Sequence, residues 1–281
     1  MTRSELTRVV EWAAAEGWNP GLYDIDCFYA VDKRGFLIGL LDGEPIASIS
    51  VVKYGETFGF LGFYIVRPDY RGQGYGWRIW QAGLAHLEGR TVGLDGVVEQ
   101  QKNYIKSGFE LAHRNIRYEG IEAADDDVQL NEKTSHEYKL VPLSSLSIET
   151  VMDYDRGIFL SDRADFLHCW INSPHHQAIG LTRQGRLSGY GVLRPCQQGY
   201  KIGPLFADSP QYAEALFLVL KARVKSGSPF YLDVPNANAA AVAIAQKYQM
   251  TSVFETARMY RQKAPDLPLN RIFGITTFEL G

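Results

Sequence analysis

The sequence predicts an α+β fold, in which helices flank a mixed sheet, and predicts that this fold occurs twice along the chain. With 281 residues, of which 46% are hydrophobic and 22% charged, the chain can bury two cores of ordinary size. Apolar runs of strand length and helical patterns alternate in the first half. The segments that begin at Leu94 and Leu232 share the order strand, helix, short break and strand. This ordered internal likeness predicts a tandem repeat of one fold.

The first elements in chain order are a helix and an antiparallel meander. Residues 5–16 carry apolar side chains at helical spacing, and Thr2 and Glu5 form a possible capping box at the start. Two apolar runs then meet at Asp42-Gly43, a dipeptide that supplies the positive φ angles of a tight hairpin. The run FGFLGFYIV follows and predicts the third strand of the meander.

A glycine-rich loop comes next and predicts a phosphate-binding site. Glycines alternate in the segment YIVRPDYRGQGYGWRIW, residues 64–80, so backbone N–H groups can approach an anion at the start of the following helix. A Walker loop does not fit, because Trp77 and Arg78 stand where a Lys-Ser or Lys-Thr pair is needed. A dinucleotide fingerprint is a weak match, because Trp77 replaces its third glycine and only Asp95 lies near the expected acidic position.

The hexapeptide Arg71–Gly76, preceded by Val66, Arg67 and Pro68, resembles the coenzyme A pyrophosphate loop of the GNAT N-acetyltransferase superfamily. The order of helix, meander, glycine loop, helix and the strand TVGLDGV is also that of a GNAT domain. The segments EGWNPG, LDGVVEQQKNYIKSGF, IGPLFAD and FELG further resemble a bacterial family that pairs an N-terminal GNAT domain with a divergent C-terminal one. This resemblance implies two tandem GNAT domains, each with a central, mostly antiparallel mixed sheet flanked by helices.

Composition and resemblance together divide the chain into three parts. Residues 1–120 form the expected GNAT domain that binds acetyl-CoA, the polar residues 121–136 form a linker, and residues 137–281 form a divergent GNAT-like domain. The second domain lacks the pyrophosphate loop, because the segment DSP at 208–210 stands in its place and suits an ordinary helix start. We therefore expect one cofactor site per chain, with the second domain supporting the fold or forming a wall of the acceptor site.

The resemblance implies acetyl-CoA as a co-substrate and direct transfer of its acetyl group in a ternary complex. Tyr104, four residues before Gly108-Phe109, is the expected acid that protonates the leaving thiolate; the alternative is a tyrosine that is only packed in the core. Val97 stands where the family usually has an asparagine. The residues expected to bind the cofactor are Tyr64, Ile65, Val66, Arg71, Gly72, Gln73, Gly74, Tyr75 and Gly76.

The incoming amine must lose a proton to a carboxylate or to ordered water, and the sequence leaves the base open. Asp95 follows the strand core of TVGLDGV and Glu56 precedes the neighbouring strand, so both are candidates. Asp95 could instead cap a turn, and Glu56 could lie in a solvated hairpin. The segment after the first helix is expected to contact the acceptor, or else to form a packed turn with solvated acids; its candidate residues are Trp18, Asn19, Tyr23, Asp24 and Asp26.

Charge and cysteine content argue against several other partners and sites. Lys and Arg total 29 against 32 Asp and Glu, a formal net charge of -3, so neither nucleic acid nor a membrane is an expected partner. The three cysteines, at 27, 169 and 196, are predicted to be isolated, buried thiols of a cytoplasmic protein. No metal is expected, because His175-His176 lack further ligands at suitable spacing and are predicted to be a surface pair.

Two functional hypotheses remain. The first is an acetyl-CoA-dependent N-acetyltransferase that acts on a small-molecule or peptide amine, as a monomer or homodimer. The second is a catalytically weak or inactive acyl-CoA-binding protein with a regulatory or scaffolding role. The presence of Tyr104 favours the enzyme, whereas the missing asparagine and the unassigned base favour the alternative.

Overall fold

The computed structural model describes residues 1–122, 137–159 and 161–281, so residues 123–136 of the predicted linker lie outside the described residues. Within these ranges no helix is long and apolar enough to cross a membrane. The helices are α1 (Arg3–Ala15), α2 (Asp24–Val31), α3 (Tyr75–His86), α4 (Gln101–Lys106), α5 (Ile148–Phe159), α6 (Ala164–Asn172), α7 (Pro210–Lys221) and α8 (Ala239–Lys247). The strands are β1 (Phe36–Leu41), β2 (Glu44–Tyr54), β3 (Phe58–Val66), β4 (Thr91–Val97), β5 (Phe109–Ile121), β6 (Lys139–Pro142), β7 (Gln177–Arg183), β8 (Arg186–Pro195), β9 (Tyr200–Ala207), β10 (Pro229–Pro235), β11 (Thr251–Arg261) and β12 (Ile272–Gly274).

Local sequence signals form the expected structures at the start of the chain. The Thr2 side chain accepts a hydrogen bond from the Glu5 backbone, and the Glu5 side chain accepts one from the Thr2 backbone, which confirms the capping box of α1. Asp42 and Gly43 have φ angles of 50° and 83° between β1 and β2, as a tight hairpin turn requires. The antiparallel meander of β1, β2 and β3 is therefore confirmed.

The described strands form one continuous mixed sheet, with α3 packed on β2 and β3 and α7 packed on β8 and β9. The strand order is β1-β2-β3-β4-β11-β5-β10-β9-β8-β7-β6, and β12 pairs with β9. The last long strand of the second half, β11, thus lies between β4 and β5 of the first half and is antiparallel to both. The last strand of the first half, β5, pairs in turn with β10. The two halves complete each other's sheets.

A wedge opens in the first half where two parallel strands diverge. β3 and β4 pair only as far as Leu61 and Leu94, and beyond these residues β3 continues to Val66 and β4 to Val97. Phe63 has a φ angle of 43°, and this irregularity in β3 accompanies a shift of its register with β2. Backbone on the facing edges of the two strands is therefore left without a strand partner at the wedge.

The corresponding wedge of the second half is filled by its own chain. β9 and β10 are parallel and pair as far as Ile202 and Leu232, after which β12 lies against β9. The Ile275 N–H donates a hydrogen bond of 2.9 Å to the Asp233 carbonyl of β10, and a Cβ added to Gly274 would lie 2.7 Å from a methyl group of Leu232. The chain then returns to the first half as residues 275–281.

The expectation of three isolated thiols is wrong for two of the cysteines. Cys27 in α2 and Cys169 in α6 form a disulfide with a Cα–Cα distance of 5.2 Å, within the usual range for such bonds. Cys196 is free and buried. Because α2 and α6 pack against each other, residues separated by 142 positions meet, and local cysteine spacing could not reveal this pairing.

Candidate active site

A cleft of about 420 Å³ occupies the wedge between β3 and β4. The first half contributes the end of α1, the end of β3, the glycine loop, the end of β4 and the start of α4. The lining residues from the first half are Glu16, Trp18, Leu61, Gly62, Phe63, Tyr64, Ile65, Val66, Tyr70, Arg71, Gly72, Gly74, Gly76, Trp77, Leu94, Asp95, Gly96, Val97, Gln100 and Tyr104. Those from the second half are Phe254, Thr256, Phe278 and Glu279.

The start of α3 makes one end of the cleft suited to an anion. Gly74 is the N-cap of α3 with a φ angle of 85°, no side chain caps the helix, and its first turn contains no acidic residue. The first helical hydrogen bond runs from the Arg78 N–H to the Gly74 carbonyl, so the preceding N–H groups have no partner within the helix. Such N–H groups and the helix dipole attract negative charge.

Side chains of β3 pack closely against Gly76 at the start of α3. A Cβ added there would lie 2.7 Å from the Tyr64 hydroxyl oxygen and 3.1 Å from a Val66 methyl carbon. The start of α3 therefore lies directly against the end of β3. This approach places the helix N–H groups beside the unpaired edge of β3.

Seven of the nine residues predicted to bind the cofactor line this cleft, and Gln73 and Tyr75 do not. The Gln73 side chain instead donates a hydrogen bond of 3.0 Å to the Asp69 carbonyl, and the Tyr75 ring packs edge-on against Tyr70. Their side chains hold the loop in shape, so only their backbone N–H groups are placed to contribute to an anion site.

Arg71 links the loop to two neighbouring elements. Its Nε donates a hydrogen bond of 2.7 Å to the Val66 carbonyl at the end of β3, and its Nη2 pairs with the Glu16 carboxylate after α1. The arginine thus has a carboxylate partner already, and its side chain remains about half exposed, at 49%. The guanidinium therefore lies beside the cleft with its charge offset by Glu16.

Tyr104 lines the cleft from α4. Its ring packs on Trp80 at a centroid distance of 5.5 Å, and a Cβ on Gly96 would overlap it. Burial raises the pKa of Tyr104 above its ordinary value, with smaller contributions from Tyr64 and Glu99. The hydroxyl therefore stays protonated at neutral pH, as a general acid must.

The two predicted bases are not equivalent in the structure. Glu56 lies in the exposed turn between β2 and β3, at the end of β3 away from the cleft, and does not line it. Asp95 lines the cleft, but Arg258 of β11 binds both of its oxygens at 2.9 and 2.6 Å, and the Asn115 amide donates to it at 2.7 Å. Burial alone would lower the pKa of Arg258, but the Asp95 and Tyr260 charges raise it. Asp95 is thus held as an ion-pair partner.

Of the five predicted acceptor contacts, only Trp18 lines the cleft. Asp26 pairs with Arg3 on the surface, and the Asn19 side chain bonds the backbone of Gln198 in the second half.

Tyr23 and Asp24 also contact the second half. Tyr23 stacks on His175 at 3.5 Å between ring centroids. Asp24 is buried beside Arg194 at 3.1 Å and His176 at 3.8 Å. The prediction of a surface histidine pair is therefore wrong for His176, which is buried. Most of this segment joins the halves instead of lining the cleft.

Sequence reasoning missed the contribution of particular second-half residues to the cleft. Phe254 belongs to β11, which reaches the first half by strand exchange, and Phe278 and Glu279 belong to the C-terminal segment. The only available signal was the terminal FELG motif, which indicated the family but no contact. Among the described residues no cluster of three or more His, Cys, Asp or Glu side chains could hold a metal ion.

The fold and the site are those of an acyltransferase that uses an acyl-CoA. Residues 4–106 match the acetyltransferase (GNAT) family and residues 151–274 match an acetyltransferase (GNAT) domain. The chain is 32% identical to a holothin acyltransferase of Pseudoalteromonas sp., over 97% of this chain and 90% of that protein. The chain belongs to the GNAT acetyltransferase superfamily, with a GNAT domain in each half, and is an acyltransferase.

Solved structures agree with this fold. A putative acetyltransferase from Pyrococcus horikoshii superposes with a TM-score of 0.80 at 22% identity, covering 100% of this chain and 94% of that one. A tandem GNAT protein from the clavulanic acid biosynthesis pathway superposes with a TM-score of 0.59 at 11% identity, covering 95% and 98%. At these identities the likeness shows the fold alone.

Proposed function

We propose that the protein is an acetyl-CoA-dependent N-acetyltransferase that transfers the acetyl group directly to a small-molecule amine. The observation that carries this proposal is the common cleft. It joins an uncapped helix start, the free edge of β3 and the buried Tyr104 hydroxyl group in one wedge. The name of the holothin acyltransferase relative supports a small-molecule acceptor.

The residues present fit coenzyme A. The backbone N–H groups of 73–76 would bind the pyrophosphate, because they are uncapped and glycines allow close approach. The edge of β3 from Tyr64 to Val66 would pair with the pantetheine arm as an added strand does. Arg71 would add positive charge beside the pyrophosphate. One such site per chain is expected, because β12 fills the equivalent wedge of the second half.

Transfer requires two proton movements around one bond exchange. The amine nitrogen forms a bond to the thioester carbonyl carbon, and the carbon–sulfur bond breaks. The leaving sulfur takes a proton from Tyr104, whose raised pKa keeps it protonated until that moment. The amine loses its own proton to a group on the acceptor side of the cleft. Asp95 is not assigned this role, since Arg258 holds both of its oxygens, and Glu56 is not, since it lies away from the cleft.

A thiol-release assay with acetyl-CoA and a panel of primary amines tests the proposal. Tyr104→Phe should lower kcat by on the order of 100-fold with little change in acetyl-CoA affinity, because the hydroxyl acts only as the sulfur departs. Tyr138→Phe is the matched control, since Tyr138 packs on Tyr212 outside the cleft. Arg71→Glu should remove most of the stabilisation by acetyl-CoA in a thermal melt.

Three outcomes would count against parts of this assignment. Tight acetyl-CoA binding without thiol release on a broad amine panel would favour the acyl-CoA-binding regulatory protein. If Tyr104→Phe turns over as fast as the parent, and the chemical step is shown to limit the rate, Tyr104 is only a packed core residue and not the acid. Unchanged acetyl-CoA affinity in Arg71→Glu would show that the loop assignment is wrong.

A further inference from the structure

The C-terminal segment is a fixed wall of the cleft. The Glu279 carbonyl lies against Gly62 of β3 so closely that a Cβ on Gly62 would overlap it. The Tyr54 hydroxyl donates a hydrogen bond of 2.9 Å to the Leu280 carbonyl, and the Leu280 N–H donates one of 3.0 Å to the Thr277 hydroxyl. Residues 272–281 are all buried. Side chains of this segment therefore keep fixed positions in the wall.

One buried guanidinium holds the three aromatic residues at this side of the cleft. Arg117 binds both oxygens of Asp233 at 2.7 and 2.8 Å, and its Nη1 donates a hydrogen bond of 2.8 Å to the Trp18 carbonyl. Its guanidinium carbon lies 4.7 Å from the ring centre of Phe278 and 5.7 Å from that of Phe254. The two rings, Phe254 and Phe278, form an aromatic wall that is held in place before any ligand binds, so an aromatic ring can pack on it without the cost of ordering these side chains.

The C-terminal segment also contributes Glu279 to the cleft, and this carboxylate differs from the other two there because it has no ion-pair partner among the described residues. Glu16 pairs with Arg71 and Asp95 pairs with Arg258. Glu279 is only 5% exposed, yet it forms no ion pair of 4.0 Å or less with any residue in the described ranges. It is near enough to contribute to the raised pKa of Arg117 and to oppose the burial that lowers the pKa of Lys201 to about 8. A buried carboxylate without a direct cation partner is costly, and a cationic ligand would remove that cost.

Resting on the proposed acyl transfer, we propose that Phe254, Phe278 and Glu279 form the acceptor subsite, which selects a primary amine attached to a flat aromatic ring. The ring lies against the aromatic wall. Glu279 binds the ammonium group and takes one proton from it, which frees the nitrogen lone pair to attack the thioester carbon. The nitrogen loses its second proton after the carbon–nitrogen bond forms, and that proton replaces the one that Tyr104 gave to the leaving sulfur. The second half thus determines which amine is acylated, whereas the first half binds the acyl donor.

Three small probes separate the ring from the charge. 2-Phenylethylamine has both, n-hexylamine has the charge without the ring, and 2-phenylethanol has the ring without the charge. Binding of each is measured by titration calorimetry with the full-length protein saturated with coenzyme A, so the result does not depend on turnover. The parent should bind 2-phenylethylamine about 2- to 10-fold more tightly than n-hexylamine and at least about 10-fold more tightly than 2-phenylethanol.

Two substitutions assign these preferences to residues. Phe278→Leu should remove the preference for the ring and leave n-hexylamine binding within about twofold. Glu279→Gln should weaken both amines by about 10-fold and leave 2-phenylethanol unchanged. Phe254→Leu repeats the ring test if Phe278→Leu does not fold. Tyr138→Leu, outside the cleft, should change none of the three affinities.

The proposal fails if the parent binds 2-phenylethylamine and n-hexylamine equally, or if neither Phe278→Leu nor Phe254→Leu changes the ring preference. Amine affinities that are unchanged in Glu279→Gln would overturn the role of the carboxylate. If thiol release is seen with n-hexylamine and these preferences are absent, acyl transfer stands and the subsite is wrong. If the preferences are present but no amine gives thiol release, the subsite stands and the proposed function is wrong.

Discussion

Replacement of Asp95 by Asn should destabilise the fold without removing the catalytic base. The Asp95 side chain is 0% exposed and that of Arg258 is 7% exposed, and Arg258 binds both carboxylate oxygens. Asp95→Asn removes the negative charge and leaves the guanidinium buried without a counter-charge. The expected cost is about 3–5 kcal/mol of unfolding free energy, or a fall in Tm of roughly 6–20 °C for a chain of this size.

The double variant Asp95→Leu/Arg258→Met distinguishes a structural carboxylate from a catalytic one. Removal of both charges should restore stability to the parent value or above it. If Asp95 is only an ion-pair partner, this variant should also keep acetyl-CoA binding and thiol release.

Chemical denaturation and the thiol-release assay measure both effects, and an exposed ion pair provides the control. Arg156 and Asp153 pair at 2.9 Å with side chains 47% and 75% exposed, so Asp153→Asn should cost no more than about 1 kcal/mol. Equal stability of Asp95→Asn and the parent would refute the energetic argument. A stable double variant that binds acetyl-CoA but releases no thiol would show that Asp95 takes the proton.

Three further predictions concern the site and the joined halves. Burial and Arg258 lower the pKa of His113 to about 3, so between about pH 6.5 and that value only the unfolded chain binds a proton at this histidine. The free energy of unfolding should therefore decrease as the pH falls through this range. Denaturation midpoints should show a smaller decrease for His113→Gln than for the parent. Reduction of the Cys27–Cys169 disulfide should lower the free energy of unfolding by roughly 5 kcal/mol at most. A reducing agent should not destabilise Cys27→Ser any further, because that variant has no disulfide to reduce, whereas Cys196→Ser should lose as much stability on reduction as the parent. Gly96→Ala should displace Tyr104 and lower kcat on the order of 100-fold, whereas Gly39→Ala, with its nearest contact at 3.4 Å, should not; equal kcat values would refute this.

Because β11 of the second half lies between β4 and β5 of the first, the first half cut out alone would lack part of its sheet. The predicted boundary at 121–136 stays a prediction, because most of that segment lies outside the described residues. A fragment that ends at residue 122 would lack β11 and would leave the facing edges of β4 and β5 unpaired. It would also lose the wall formed by Phe254 and Phe278. We therefore expect such a fragment to be less stable than the tandem arrangement suggests.

The sequence by itself determined those features that depend on neighbouring residues. The capping box at Thr2, the hairpin at Asp42-Gly43 and the uncapped start of α3 after Gly74 each result from side chains or glycines a few positions apart. The position of Tyr104 beside the cleft followed from its fixed distance to Gly108-Phe109 in a known motif. Short-range backbone geometry makes such signals readable in one dimension.

Only the tertiary structure decided which distant residues meet. Arg258 forms an ion pair with Asp95, Cys27 forms a disulfide with Cys169, and the Glu279 backbone packs on β3. No local sequence pattern links the members of these pairs. Their proximity comes from insertion of β11 between β4 and β5 and from the return of the C-terminal segment to the first half. Such contacts depend on how whole elements pack to bury apolar surface and pair backbone groups, and this global choice determines whether a carboxylate is a base or an ion-pair partner.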